Sequence, residues 1–188
     1  DRYNEKGKMM ARIFTLKNGF SVLLGVLAIW CSYTFFYNRA YVELQIEVTE
    51  KTPVKIYWKS ATGNFSEKNR VYLKAKPGKK TYRFFLTDLD NIEILRFDPI
   101  QYAGKVTVKS LIMSQAGYED VVFDAEYDFS GVEINRQLKV TGRDSTGIEI
   151  ESTGVDPYFI FSPQFNYKGL SPDEICWVVV CFIFLVLC

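Results

Sequence analysis

The stretch Ile92–Ser114, IEILRFDPIQYAGKVTVKSLIMS, limits what this chain can fold into more sharply than any other. Its first half alternates, with Ile92, Ile94 and Arg96 on one side and Glu93, Leu95 and Phe97 on the other, until Asp98-Pro99 stops the run. Proline has no amide hydrogen to give to a ladder, so it marks a strand end. After the Tyr102-Ala103-Gly104 break, Val106, Val108 and Ser110 face one way and Lys105, Thr107 and Lys109 the other. That alternation belongs to a strand with one packed face and one wet face. Two such strands joined by a turn predict a β-sandwich.

The same signature repeats along residues 40–171. Tyr41–Thr49, Val54–Lys59, Val71–Ala75, Thr81–Thr87, Glu93–Phe97, Lys105–Gln115, Glu133–Thr141, Ile148–Ser152 and Tyr158–Ser162 each read as a short strand. Thr62-Gly63-Asn64, Pro77-Gly78, Asp88–Asn91, Gly142–Asp144, Gly154 and Asp156-Pro157 supply turn chemistry between them. Short strands at this spacing, with no convincing amphipathic helix, predict a mainly β domain, an antiparallel β-sandwich or jelly roll.

Two apolar runs flank that domain. Gly19–Tyr37 carries no charge, and at 1.5 Å of rise per residue it approaches the ~30 Å hydrocarbon thickness of a bilayer. Tyr33, Phe35, Phe36 and Tyr37 crowd its far end, as interfacial aromatics do. A transmembrane helix over 19–37 is expected, against the rival of a cleaved signal peptide, for which no small-residue cleavage site precedes Asn38. Residues 1–18 are polar and basic, which favours a cytoplasmic N-terminus and puts the β domain outside, in a periplasm or at the cell surface. Ile175–Cys188 is wholly apolar but too short to span a bilayer. It reads as the start of a second transmembrane helix in a chain that continues, or as a C-terminal helix buried in protein.

Composition narrows the chemistry. A formal net charge of +1 gives no basic stripe for nucleic acid, and the absence of histidine removes the commonest general base and metal ligand. Cys31, Cys176, Cys181 and Cys188 all lie in the apolar runs, so no disulfide staples the β domain. Cys176 and Cys181 match no metal-binding spacing and read as packing residues. There is no Gly-rich phosphate loop, nucleophile elbow or metal-binding triplet, so no catalytic residue is assigned and a free-standing enzyme is the weakest class.

The remaining candidates are individual side chains. Asp88 and Asp90, two apart in TDLDN, have the oxygen chemistry for calcium, but turn aspartates usually cap their own backbone. Asp98 joins them as a carboxylate that glycoside chemistry would need to converge with a partner. Arg96 and Asp98 share a strand face and read first as an ion pair holding the strand end, and second as an arginine and its partner binding sugar hydroxyls. Sugar-binding sandwiches stack pyranose rings on exposed aromatics, for which Tyr57, Trp58, Phe65, Tyr102, Tyr118 and Tyr158 are candidates. In VKIYWK, Val54, Ile56 and Trp58 share the core face, leaving Tyr57 on the wet face with Lys55 and Lys59. Tyr102 lies in a turn and is expected to be exposed. The lysines of Lys51–Arg83 read as solvated sheet surface or as a face toward anionic headgroups.

Taken together, VKIYW at Val54–Trp58, GNFSE at Gly63–Glu67, YRFFL at Tyr82–Leu86, the IEILRFDPI…GKVTVKSLIM pair and DPYFIF at Asp156–Phe161 resemble an N-terminal extracytoplasmic module of bacterial multispanning polysaccharide glycosyltransferases. The LRFDP-turn-strand pattern is also similar to jelly-roll carbohydrate-binding modules. The resemblance implies an extracytoplasmic accessory domain placed after the first helix; read from its own residues, that domain is expected to bind glycan or dock a partner, with Tyr57, Tyr102, Arg96 and Asp98 as its site. It also implies polyprenyl-phosphate-linked sugars as substrates of a catalytic part absent from these residues. The rival expectation is a structural subunit of a larger membrane complex that binds no sugar.

Overall fold

A computed structural model describes residues 19–21, 23–31, 33–176 and 179–180. The predicted cytoplasmic segment 1–18 and residues 177, 178 and 181–188 of the second apolar run, with Cys181 and Cys188, lie outside the described residues. So do the side chains of Phe35 and Phe36.

Eleven strands are present among the described residues: β1 (Tyr41–Val48), β2 (Thr52–Lys59), β3 (Arg70–Ala75), β4 (Gly78–Phe85), β5 (Ile94–Asp98), β6 (Gly104–Ser114), β7 (Val121–Asp124), β8 (Glu133–Ile134), β9 (Leu138–Asp144), β10 (Gly147–Ser152) and β11 (Phe159–Phe161). They pair in two antiparallel sheets. The six-stranded sheet runs β4-β1-β6-β10-β9, with β7 also on β6, and the five-stranded sheet runs β3-β2-β5-β11-β8. The expected mainly β, antiparallel two-sheet sandwich is what forms.

Alternation puts Val42, Leu44, Ile46 and Val48 of β1 inside, facing Ile56, Leu95, Phe97, Phe159 and Phe161 of the other sheet, all essentially fully buried. Phe123 of β7 anchors one end of this core. Its ring lies 4.8 Å from that of Phe161, 5.0 Å from Tyr127, 5.3 Å from Phe129 and 5.6 Å from Phe159, centroid to centroid. Such offset and edge-on pairs add to what their buried area contributes. The β9–β10 turn ends at Gly147, whose φ of 132° is open to glycine, and a Cβ there would lie 2.5 Å from the Val108 carbonyl oxygen.

Several expectations are corrected. The two strands of Ile92–Ser114 do not pair: β5 belongs to the five-stranded sheet and β6 to the six-stranded one, and residues 99–103 carry the chain across. In β5 the packed face is Leu95 and Phe97, so Arg96 faces out. In β6, Val106 and Val108 point inward as expected, but a bulge opposite Gln45 and Ile46 shifts the phase, and Leu111 and Met113 replace Ser110 inside. Glu133–Thr141 splits into β8 and β9 on different sheets, because Asn135 turns the chain: its side chain accepts from the Gln137 amide at 2.7 Å. The strand β7 was not expected at all.

The flanking runs also differ. Residues 19–21 and 23–31 are helical, but Tyr33–Tyr37 winds as a π-helix, closed by the Asn38 amide on the Tyr33 carbonyl at 3.0 Å. Residues 172–176 and 179–180 are helical. Among the described residues, no helix is long and apolar enough to cross a membrane, so the expected spans at 19–37 and 175–188 gain no support from helix length.

Candidate functional site: an anchoring pole and a tyrosine–arginine face

Strand directions define two ends of the sandwich. At one end β1 and β7 begin, β2, β4 and β6 finish, and the chain both arrives from residue 37 and departs toward residue 171. Gln115, just past β6, is buried there and links three segments. Its Nε2 donates to the Tyr37 carbonyl and to Asp88 Oδ1, each at 2.8 Å, and its Oε1 accepts from the Leu89 amide at 2.9 Å.

The departing helix starts on a capping box spelled Ser171-Pro172-Asp173-Glu174. The Glu174 amide donates to Ser171 Oγ at 3.2 Å, and Glu174 Oε2 accepts from the Ser171 amide at 2.6 Å, with proline in the first helical position. Glu174 Oε1 also accepts from the Gly117 amide at 3.3 Å, and Tyr37 Oη donates to the Glu174 carbonyl at 3.5 Å. These bonds, the Ser171 amide foremost, hold the Glu174 carboxyl below its ordinary value. Both apolar segments are therefore fastened side by side to one pole.

Their surfaces are bare. Phe20, Leu23, Val26 and Trp30 are between 61% and 63% exposed, and Leu24, Leu27, Ile29, Ile175, Val179 and Val180 are exposed as well. At 100° per residue, the exposed positions of the first segment cover most of the helix circumference and leave one narrower face, Ser21, Gly25 and Ala28, half-buried or buried. A helix that is apolar on every side is ordinarily covered, by protein or by lipid.

A second feature crosses the outer face of the five-stranded sheet. Register places Arg70 beside Tyr57 and Tyr57 beside Arg96. The rings and guanidinium groups alternate: Tyr72, Arg70 at 5.6 Å, Tyr57 a further 5.7 Å, Arg96 at 5.5 Å from Tyr57, and Tyr158 at 4.0 Å from Arg96. Planar guanidinium groups over ring faces give a stiff, preorganised surface. Arg96 is clamped in it, with Nε on Asp98 Oδ1 at 2.7 Å, Nη2 on Asp98 Oδ2 at 3.0 Å, and Nη2 on Asp156 Oδ1 at 2.5 Å. Asp98 is 1% exposed, and burial pushes its carboxyl up from the ordinary value against the pull of Arg96. The ion-pair reading of Arg96 and Asp98 describes this geometry.

Of the expected sugar-binding residues, Tyr57, Arg96 and Asp98 come together on the outer face and Tyr102 lies apart from them. Tyr57 is on the outer face, as alternation requires, but it is only 9% exposed. Arg70, Arg96 and Phe65 cover it, and its hydroxyl donates to Glu67 Oε1 at 3.2 Å. Tyr102 is half-buried rather than exposed. It packs against the core, its hydroxyl is 2.8 Å from Thr49 Oγ1 and accepts from the Glu50 amide at 3.3 Å, and Gly104 leaves room for its ring. It clamps the β1–β2 turn at the far pole, several residues along β2 from Tyr57. Trp58 packs partly buried against the core, and Tyr118 is buried with its hydroxyl donating to Asp90 Oδ1 at 2.5 Å.

The calcium candidates are engaged in folding contacts. Asp88 caps the short 3-10 turn Leu89–Asn91 by accepting from the Asp90 amide at 3.2 Å, besides its bond from Gln115. Among the described residues, no group of three His, Cys, Asp or Glu side chains could hold a metal ion. Lys51, Lys76, Lys79 and Lys80 lie in the β1–β2 and β3–β4 connections or at the start of β4, the pole away from the apolar segments. Lys59 and Lys68 lie instead at the end of β2 and in the β2–β3 connection, at the pole that carries the apolar segments.

Sequence reasoning missed Arg70, Tyr72, Asp156, Gln115 and Glu174. Only Glu174 had a local signal, the S-x-x-E spacing before an apolar run. Comparison of the chain with protein-family models, curated proteins and solved structures gives no match.

Proposed function

We propose that the chain is a membrane-anchored β-sandwich, held by its two apolar segments at the outer side of a bacterial cytoplasmic membrane. There it offers the tyrosine–arginine face to a glycan in cell-surface polysaccharide assembly. The observation that carries the anchoring is the paired exit: two segments, each exposing large apolar side chains, leave one pole side by side. Lipid covers such surface without a dedicated partner, and the aromatic residues Tyr33 and Tyr167 stand exposed at the same pole. A jelly-roll path is consistent with a chain that crosses repeatedly between the sheets, as from β1 to β2, β3 to β4 and β5 to β6.

Within that face the glycan platform moves from the expected Tyr57 and Tyr102 to Tyr72, which is 44% exposed, with Arg70 stacked on its ring and Lys55 opposite it on β2. An open tyrosine ring offers a stacking surface, and guanidinium and ammonium groups offer donors for hydroxyls or for the phosphate of a polyprenyl-linked sugar. Titrating the full chain in detergent with neutral oligosaccharides, uronic-acid oligosaccharides and polyprenyl-phosphate sugars tests this. Binding that Tyr72→Ala weakens by roughly tenfold, about 1.4 kcal/mol, at unchanged melting temperature is the expected result. Absence of binding across all three classes contradicts it.

A second reading, a structural subunit that docks on a larger membrane complex, is favoured by one observation. Most of the polar groups of the tyrosine–arginine face bond to one another. It predicts that Tyr72→Ala leaves every sugar titration unchanged but dissociates the chain from its complex.

A further inference from the structure

We propose that the outer face of the six-stranded sheet leans on the bilayer surface beside the anchoring pole, through a strip formed by Tyr41, Phe85, Ile112 and Val122. The proposal rests on the membrane-anchored reading and adds which sheet meets lipid.

Tyr41 of β1 lies opposite Phe85 of β4, their rings edge-on with centroids 5.7 Å apart. Ile112 of β6 lies opposite Val122 of β7 and diagonally next to Tyr41, whose direct partner is Ser114. The four side chains come from neighbouring strands and form a diagonal strip, stepping from Phe85 and Tyr41 to Ile112 and Val122 past Glu43, the direct β1 partner of Ile112. Tyr41, Phe85 and Val122 are 37%, 44% and 39% exposed. The strip sits at the pole itself, because Tyr41 follows Ala40, whose amide bonds Thr87 and whose carbonyl bonds Leu86 where the chain enters the sandwich. Glu43 and Arg83 continue the row of Ile112 and Val122 across β1 and β4, and beyond that row the face turns polar through Gln45, Thr81 and Ser110.

Three features fit a lipid interface. The strip lies at the same pole as the bare apolar segments. It is capped by a tyrosine, whose ring and hydroxyl suit the headgroup level. Arg83, 62% exposed in the row of Ile112 and Val122 and bonded through Nε to Glu43 at 2.9 Å, turns its remaining guanidinium donors to headgroup phosphates along an apolar stem. Amphipathic surfaces of this kind settle about 5–10 Å into the headgroup boundary. Because the two sheets pack back to back, leaning on this face turns Tyr72 and Tyr158 away from the bilayer, toward the side from which a glycan arrives.

The test uses the full chain with its four cysteines replaced by serine, reconstituted in phosphatidylcholine–phosphatidylglycerol vesicles. Val122→Cys and, separately, Tyr72→Cys carry an environment-sensitive fluorophore. The Val122 probe is expected to shift to the blue and to be quenched several-fold more by nitroxide-labelled lipid than the Tyr72 probe, which aqueous iodide quenches instead. If iodide quenches both probes equally while the chain floats with vesicles, the sandwich stands clear of the lipid and the proposal falls, though anchoring survives. A Val122 probe shielded from both quenchers means that a second copy or another protein covers the strip, which also overturns it. A chain that does not float overturns the anchoring reading and this proposal with it.

Discussion

Arg96 is held by two carboxylates and lies between two tyrosine rings, so its removal strands a charge. With Asp98 almost wholly buried, breaking the pair leaves that carboxylate without its counter-ion, a change that typically costs 3–5 kcal/mol. Arg96→Ala is therefore expected to lower stability by about 3 kcal/mol in urea unfolding, and an unchanged midpoint contradicts the clamp. The pair was legible in the sequence, since residues two apart on a strand share a face. The covering of Tyr57 was not, because Arg70 and Phe65 reach it from β3 and its preceding loop, and sheet order decides that.

Asp98 and Glu174 give opposite pH signatures. Burial raises the Asp98 carboxyl, so the folded chain holds a proton there more readily than the unfolded one, and its contribution favours folding at acid pH. That contribution fades as pH rises from the ordinary value of 3.8 through the raised folded value. Glu174 is lowered by the Ser171 amide, so its contribution is fully present above 4.5 and is lost as pH falls through the lowered folded value. Denaturant unfolding of Asp98→Asn and Glu174→Gln against the parent chain across the acid range checks both signs. The first variant is expected to gain relative to the parent as pH rises, and the second to fall behind.

At the scale of elements, β7 shows what alternation leaves unread. Val121–Asp124 is four residues long and flanked by acidic residues, too short and too polar around its edges to register as a strand. Yet Phe123 on it meets Phe97, Phe159, Phe161, Tyr127 and Phe129. Phe123→Ala is expected to cost about 3–5 kcal/mol, read as a lowered melting temperature; a loss under 1 kcal/mol would mean that this end of the core tolerates a cavity. The longer strands were legible because their inner faces are strictly periodic. Their partners were not, since β5 and β6 look like a hairpin in sequence and separate only because residues 99–103 are routed across the sandwich, with the Gln101 amide on Thr52 Oγ1 at 2.9 Å.

For the whole molecule, the two ends differ in character. The pole that holds Gln115 and the Glu174 capping box gathers the apolar segments and exposed tyrosines, with Lys59, Lys68 and Lys168 among them, and the other carries Lys51, Lys76, Lys79 and Lys80. Composition along the chain announced both apolar segments, but not that they leave together, which depends on contacts between residues far apart in sequence such as Tyr37 and Glu174. The most direct test of the central claim is flotation of the full chain with bacterial membranes after alkaline carbonate washing. Anchoring through the paired segments predicts that the chain floats with the membrane and is released only by detergent. A chain recovered in the carbonate supernatant would contradict it.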